Sequence, residues 1–423
     1  MDGPSNMNHV RRWALRAFPH ADVPNVRRSY FINAMDSAAF VSGNWIFFWT
    51  LFMSYSQLGL NDSLSFAFGL FMEIPTGALA DVIGKRWTIR AALLLNGIGF
   101  LIQGSAVNMA GLIGGFLLFH TGIALYSGAA EALTYDSLKE RGLEGDYDKV
   151  TAANSSLSLV VLMAAILAGA PMFHLNARLP HWAWGVAFLI GFVVSLGLTE
   201  PKLEGARERF SLRSYLRQFA TGAQQLWHPE LRFYIPLLFA LPGMFFIYTW
   251  GVVQPAVAVN FGFGPNEQSI ITSAAYVLIA VMVRFIPRIR RKTGDFGGLT
   301  LLNIGLVLAL FGMALPLGSG SLFAAFVLLL MHMSGSTSRS WTGIVINENT
   351  PSAIRATTLS TVALLTKLPY VLVAVVAGVM IDGGQLALFV TGMATASLVL
   401  LGLSHLTRAA LAGSRRLKPV SAP

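Results

Sequence analysis

Long apolar runs alternate with short polar seams along the 423 residues. A membrane-spanning helix needs about 20 mainly apolar residues. Runs of that kind lie near 30–55, 63–83, 87–108, 111–136, 150–173 and 181–199. After a polar gap they resume at 232–259, 268–289, 296–315, 321–346, 356–381 and 384–407. The pattern predicts twelve spanning helices. In the gap, 200–231, Leu212, Leu216, Phe219, Ala223 and Leu226 recur at helical spacing, which predicts an amphipathic helix along the membrane surface. The expected domains are an N-terminal segment (1–29), a six-helix bundle (30–199), a linker (200–231), a second six-helix bundle (232–407) and a tail (408–423). The first segment has no apolar core of signal-peptide length, and its VRRWALRAF piece reads as a short basic interfacial helix.

Composition agrees with the pattern. The chain is 54% hydrophobic and 12% charged, and its mean hydropathy is +0.61. A soluble domain is nearer 25% charged, so a polytopic membrane protein is expected. With no Cys, disulfides, thiolate metal sites and a Cys nucleophile are excluded. The net charge of +10 sits in short loops. Loops on one side hold Arg27 and Arg28, then Lys85, Arg86 and Arg90, then Lys139, Arg141 and Lys149, and later Arg288, Arg290, Arg291 and Lys292. The opposite loops contain only Arg178. By the positive-inside rule both termini are cytoplasmic, and nucleic acid is not the partner.

The two halves repeat. An offset of about 207 residues lays the first span on the seventh and Ser127-Gly128 on Ser334-Gly335. It also lays the Gly77–Arg86 loop on the basic Arg284–Thr293 segment. Six spans, a linker and six more spans is the architecture of two-bundle secondary transporters.

One seam carries more than topology. GALADVIGKR, residues 77–86, lies between the second and third spans. It resembles the signature loop of the major facilitator superfamily, with Gly77, Asp81, Gly84, Lys85 and Arg86 in matching positions and Val82 where a basic residue is usual. SGAAEALTYDSLKE in the fourth span is similar to bacterial exporter-like members. The resemblance implies an all-α membrane protein, twelve transmembrane helices in two six-helix bundles related by a pseudo-twofold. It also implies a latch, in which Asp81 faces the start of the eleventh helix near Pro351–Arg355 and Lys85 reaches Asp136. The alternative, that Lys85 and Arg86 only set topology, stands beside it.

Charged groups inside hydrocarbon cost about 2.5–3.5 kcal/mol on insertion scales and so suggest function. Glu73 lies before the seam and is followed by Pro75; it reads either as a proton site or as a hydrogen-bonded packing residue. Asp36 stands in the first span, Glu131 in the fourth, and His332 and Arg339 in the tenth. The resemblance implies that the first, fourth, seventh and tenth helices line a central cavity. Glu131 could then exchange a proton as Arg339 approaches, or the two could form a fixed salt bridge. Lys367 snorkels or pairs with Glu73. Asn44, Trp45, Phe48, Trp49, Tyr248, Trp250 and Gln254 add amide and aromatic groups suited to an amphipathic organic ligand. Two departures from proton-coupled exporters are His120, where they carry a mid-membrane Arg, and the MAAILAGAPMF stretch, where Ala170 separates Gly169 from Pro171.

The expected function is alternating-access export of a small organic or drug-like solute, coupled to protons, across the inner (cytoplasmic) membrane. A symporter for sugar or organic-acid uptake is the same-fold alternative. A polytopic enzyme lacks an HExxH, nucleotide-loop or Gly-x-Ser-x-Gly motif to support it. The expected partners are the solute, protons and lipid, with no cofactor or metal, and the expected state is a monomer.

Overall fold

The computed structural model describes residues 17–202, 212–317 and 320–416, without the side chains of 73–82, 127, 212, 214–215, 353, 356 and 413–416. Most of the VRRWALRAF piece lies outside this description. Every described regular element is helical. The chain forms two compact units, Met1–Phe52 with Ser65–Ser211, and Met53–Leu64 with Leu212–Pro423.

In the first unit, α1 (Pro24–Asp36) starts with Pro at a first-turn position, where a fixed φ and a missing N–H cost nothing. The chain turns through 37–44 before the short α2 (Trp45–Trp49). The predicted first span is therefore broken, and Asn44 Nδ2 donates to the Phe40 carbonyl at 2.9 Å within the break. α3 (Tyr55–Ile83) belongs to this unit from Ser65 onward. It is followed by α4 (Lys85–Ser105), α5 (Met109–Lys139), α6 (Tyr147–Leu175) and α7 (Leu179–Ser195). The core joins Ile32 of α1, Leu93 and Phe100 of α4, Leu133 of α5 and Phe188 of α7. Arg90 of α4 is buried, and its guanidinium donates to the carbonyls of Ser195, Leu196 and Leu198 at the end of α7. A cation there satisfies carbonyls that the helix end leaves open.

The second unit opens with α8 (Leu212–Leu226), the predicted amphipathic helix. Its apolar face is seated on protein: Leu226 is buried with Leu238, Ile346 and Val362. A Cβ at Gly222 would come within 2.2 Å of Thr361 Oγ1, while Leu216 keeps 55% of its surface. The seventh span is broken into α9 (Ile235–Leu238), a π-helical turn at Phe239–Gly243, α10 (Met244–Trp250) and α11 (Val253–Asn260). Pro242 removes a ladder N–H in the π turn, and Gly251 separates the last two pieces. α12 (Pro265–Met313) carries the eighth and ninth predicted spans in one run, bent at Gly294. α13 (Leu322–Glu348) is capped by Ser321, whose Oγ accepts from Ala324 N–H at 3.1 Å. α14 (Arg355–Lys367), α15 (Tyr370–Asp382) and α16 (Leu386–Arg416) complete the unit.

The first turns of α3 are also part of this second unit. The Asp382 carboxylate accepts the Tyr55 N–H at 3.0 Å and the Ser56 N–H at 2.8 Å, a favourable place for negative charge at a helix N-terminus. Gly59 and Gly378 bring the backbones together: a Cβ on Gly59 would lie 2.2 Å from the Ala374 carbonyl oxygen, and one on Gly378 would lie 2.2 Å from that of Tyr55. Small residues at such crossings are what allow close helix packing in a membrane.

Among the described residues, six helical stretches are long and apolar enough to cross a membrane: Met109–Lys139, Glu144–Leu175, Arg232–Trp250, Pro265–Met313, Thr357–Asp382 and Leu386–Ala412. Pro265–Met313 covers two predicted spans, and α7 is apolar but only 17 residues long. α13 is diluted by its SGSTSRS run.

Candidate functional site

The seam between α3 and α4 is built around Gly84, whose φ of 91° and ψ of 148° precede the first turn of α4. L-residues with a side chain rarely adopt that backbone. The conformation presents the Lys85 and Arg86 N–H groups to one carboxylate, Glu200, at 3.1 Å each. Glu200 thereby satisfies two of the donors that a helix N-terminus leaves open. The Lys85 ammonium is ion-paired with the Asp136 carboxylate near the end of α5. Both side chains are mostly buried, at 18% and 17% exposure. The guanidinium of Arg86 lies 5.6 Å from the Trp87 ring centroid. Glu73, Gly77 and Asp81 fall on α3, but their side chains lie outside the described residues, as does any contact of Asp81.

A related arrangement occurs in the second unit. Gly294 has φ 65° and ψ 175° and separates the two halves of α12, just past the Arg284–Thr293 segment that aligns with the seam. Beside it Arg290 grips two acids. Its Nε and Nη2 donate to Asp295 at 2.6 and 2.8 Å, and Nη1 donates to Glu348 at 2.8 Å. Trp341 Nε1–H completes the cluster by donating to Asp295 at 2.7 Å. Glu348 lies two residues beyond the tenth predicted span, and the Arg290 hydrogen bonds hold its carboxyl below the ordinary value of 4.5.

The first unit also carries a half-open cavity of about 200 Å³, lined largely by polar residues of α1, α5 and α6. Ser29, Asn33, Tyr126, Glu131, Tyr147 and Asn154 are among its walls. Tyr126 donates its hydroxyl proton to Asn33 Oδ1 at 2.8 Å. Thr134 donates to the Ala130 carbonyl at 2.9 Å and pairs with Ser29 Oγ at 3.0 Å. Asn154 Oδ1 is buried without a hydrogen-bond partner. Glu131 is exposed toward this space. Asp36 is half-buried at the end of α1, and its main-chain carbonyl accepts from Trp184 Nε1 at 3.0 Å.

The remaining candidates fall elsewhere. His332 is buried on α13 with its ring edge-on to Phe245 and Tyr248, at centroid distances of 5.7 and 5.9 Å. The buried Tyr248 hydroxyl has no hydrogen-bond partner among the described residues. Arg339 is exposed on the same helix as His332. Glu131 and Arg339 belong to different units. His120 packs against Phe116 at 4.5 Å, as a buried aromatic neighbour.

Residues 29–368 match the family described as Major Facilitator Superfamily. The chain belongs to the Major Facilitator Superfamily. It is thus a multi-pass membrane protein of a transporter family. No curated protein matches it. Among solved structures it is similar to the nucleoside transporter NupG, with 15% identity, a TM-score of 0.68 and coverage of 94% of this chain and 100% of that one. A POT family transporter in complex with 5-aminolevulinic acid matches at 12% identity and TM-score 0.65, covering 91% of this chain and 96% of that one. The peptide transporter POT in complex with sulfate matches at 14% and 0.66, with coverages of 92% and 94%. These likenesses carry the fold.

Within this superfamily member, the sequence reading misses Glu200, whose partners are main-chain N–H groups more than a hundred residues away. It also misses Asp62, assigned to a loop but buried on α3 and accepting from the Tyr370 hydroxyl at 3.1 Å. The cavity hydroxyls and amides were missed as well, although Ser29 and Asn33, Tyr126 and Ala130 and Thr134, and Tyr147 and Thr151 repeat at four-residue intervals. That interval marks one helix face and could have been read.

Proposed function

We propose that this chain is a secondary active transporter that moves a small organic solute across the cytoplasmic membrane by alternating access, with solute export coupled to proton entry. The observation that carries the reading is the first-unit cavity, where the Glu131 carboxylate meets hydroxyls, phenols and amides among helices otherwise apolar. Within a superfamily of transporters, a polar cavity with one ionisable wall residue is suited to bind solute and to exchange a proton. Asp36 and Glu73 are the other acids available for that exchange, and Arg339 and His332 are candidates in the second unit.

The seam acts as the conformational latch in this account. Gly77, Asp81, Gly84, Lys85, Arg86 and Asp136 form it, with the Lys85–Asp136 pair and the Glu200 cap holding the start of α4. The Lys and Arg bias supports cytoplasmic termini, and the protein works as a monomer. Uptake by symport is the second reading, favoured by His120 standing where proton-coupled exporters carry an Arg.

The test is solute flux in proteoliposomes under an imposed pH gradient, over a compound panel, for wild type and Glu131→Gln. Flux that follows the gradient in wild type and loses that dependence in Glu131→Gln is expected. Flux indifferent to the gradient in both proteins would reject proton coupling through Glu131.

A further inference from the structure

The first-unit cavity is one-sided in its chemistry. Among the described residues its lining includes the Glu131 carboxylate and no Lys, Arg or His. A second acid, Asp36, closes α1, the helix that supplies Ser29 and Asn33 to the wall. Several cations of the unit have partners outside the cavity: Lys85 with Asp136, Lys149 with Asp146, Arg90 with three carbonyls, and Arg178 with the carbonyls of Gly104 and Ala106.

Three of the hydroxyl protons are also committed. Tyr126 gives its proton to Asn33, and Thr134 gives its own to the Ala130 carbonyl. Ser29 must therefore be the donor in the Ser29–Thr134 pair, because Thr134 has no second proton to give. Among the described residues, the Glu131 carboxylate and the buried Asn154 Oδ1 are acceptors that no protein donor fills. A buried acceptor without a donor is rare in native structures and costly unless something supplies the proton.

We propose that this cavity holds the cationic, hydrogen-bond-donating head of the transported solute, an ammonium or amidinium group. The inference rests on the transporter reading above and names the class of its cargo. Such a head donates to Glu131 and to Asn154 Oδ1. The sign of the charge decides the selectivity. At about 5 Å and an effective dielectric near 20, one uncompensated carboxylate changes the affinity for a unit charge by roughly a hundredfold, in favour of a cation and against an anion. The space of about 200 Å³ suits a head group, since whole drug-sized ligands occupy pockets of about 300–1,000 Å³.

The purified full-length protein is titrated with agmatine, glucose and glutarate, reading affinity by calorimetry and by thermal stabilisation. Agmatine should bind at least about tenfold more tightly than glucose, and glutarate should not bind. Glu131→Gln should weaken agmatine by about tenfold or more and Asn154→Leu by a smaller factor, while Glu131→Asp keeps most of the affinity. Four results would each overturn the proposal: glutarate or glucose binding as tightly as agmatine, agmatine binding untouched by Glu131→Gln, no agmatine binding up to about 10 mM, or liposome flux confined to neutral or anionic solutes. The last leaves the transporter reading standing. Absence of any solute flux, with agmatine still bound, rejects the transporter reading and leaves a cation-binding membrane protein.

Discussion

Gly84 and Lys85 do different work in one turn. Gly84 supplies a backbone that side-chain-bearing residues adopt at a cost of about 1–3 kcal/mol. That backbone turns two N–H groups onto Glu200. Gly84→Ala should therefore lower the stability of the first unit by about 1–3 kcal/mol, read as a lower midpoint of thermal unfolding in detergent. Lys85 contributes through its charge, so Asp136→Asn leaves a mostly buried ammonium without its counterion. The loss of a hydrogen bond between charged groups costs about 1.5–3 kcal/mol, and transport should fall along with stability. In the second unit, Glu348 has its carboxyl pKa lowered by Arg290. A depressed acid stabilises the fold above its unfolded pKa, and that contribution is lost as pH falls through the folded value. Unfolding followed from neutral pH to below about 4 should show an acid limb, and Glu348→Gln should flatten it. An acid limb unchanged in that variant would mean that the contact does not stabilise the unit.

At the scale of elements, the apolar runs correspond to helices almost everywhere, because hydrocarbon-length periodicity survives small errors in the ends. The misreadings have local causes. Pro242 and Gly251 sit among residues so apolar that a hydropathy window passes over them, yet each breaks the ladder of the seventh span. The 37–44 break in the first span is hidden in the same way, among Ala, Phe and Val. The site was legible where chemistry was concentrated in sequence, as in Lys85 beside Gly84, and illegible where it was distributed. Glu200 answers main-chain donors that no sequence pattern marks, and Asp62 reads as a loop residue until α3 is seen to begin at Tyr55. The linker helix was visible in sequence, but its seat was not. Gly222 abuts Thr361 on α14, so Gly222→Leu overpacks the contact at a cost of about 1–3 kcal/mol. Faster proteolysis within the 200–231 linker, with the rest of the chain intact, is the expected signature; cleavage at the wild-type rate would show that α8 does not depend on that seat.

For the whole molecule, the two halves carry the same device in different residues. Gly84 and Gly294 each take a positive φ where one spanning segment gives way to the next. A basic residue beside each, Lys85 or Arg290, holds an acid at the end of a later helix, Asp136 or Glu348. A positive-φ glycine with an ionic tie is thus present in each half. The apolar helices and the superfamily match place the chain in a family of membrane transporters. The central claim is that the chain is a carrier whose solute site opens to one side at a time. Counterflow tests it most directly. Liposomes loaded with an unlabelled solute from the transported panel, and held without a pH or ion gradient, should accumulate the labelled solute transiently above its outside concentration. Labelled solute that only equilibrates, at a rate unaffected by the unlabelled solute inside, would contradict a carrier.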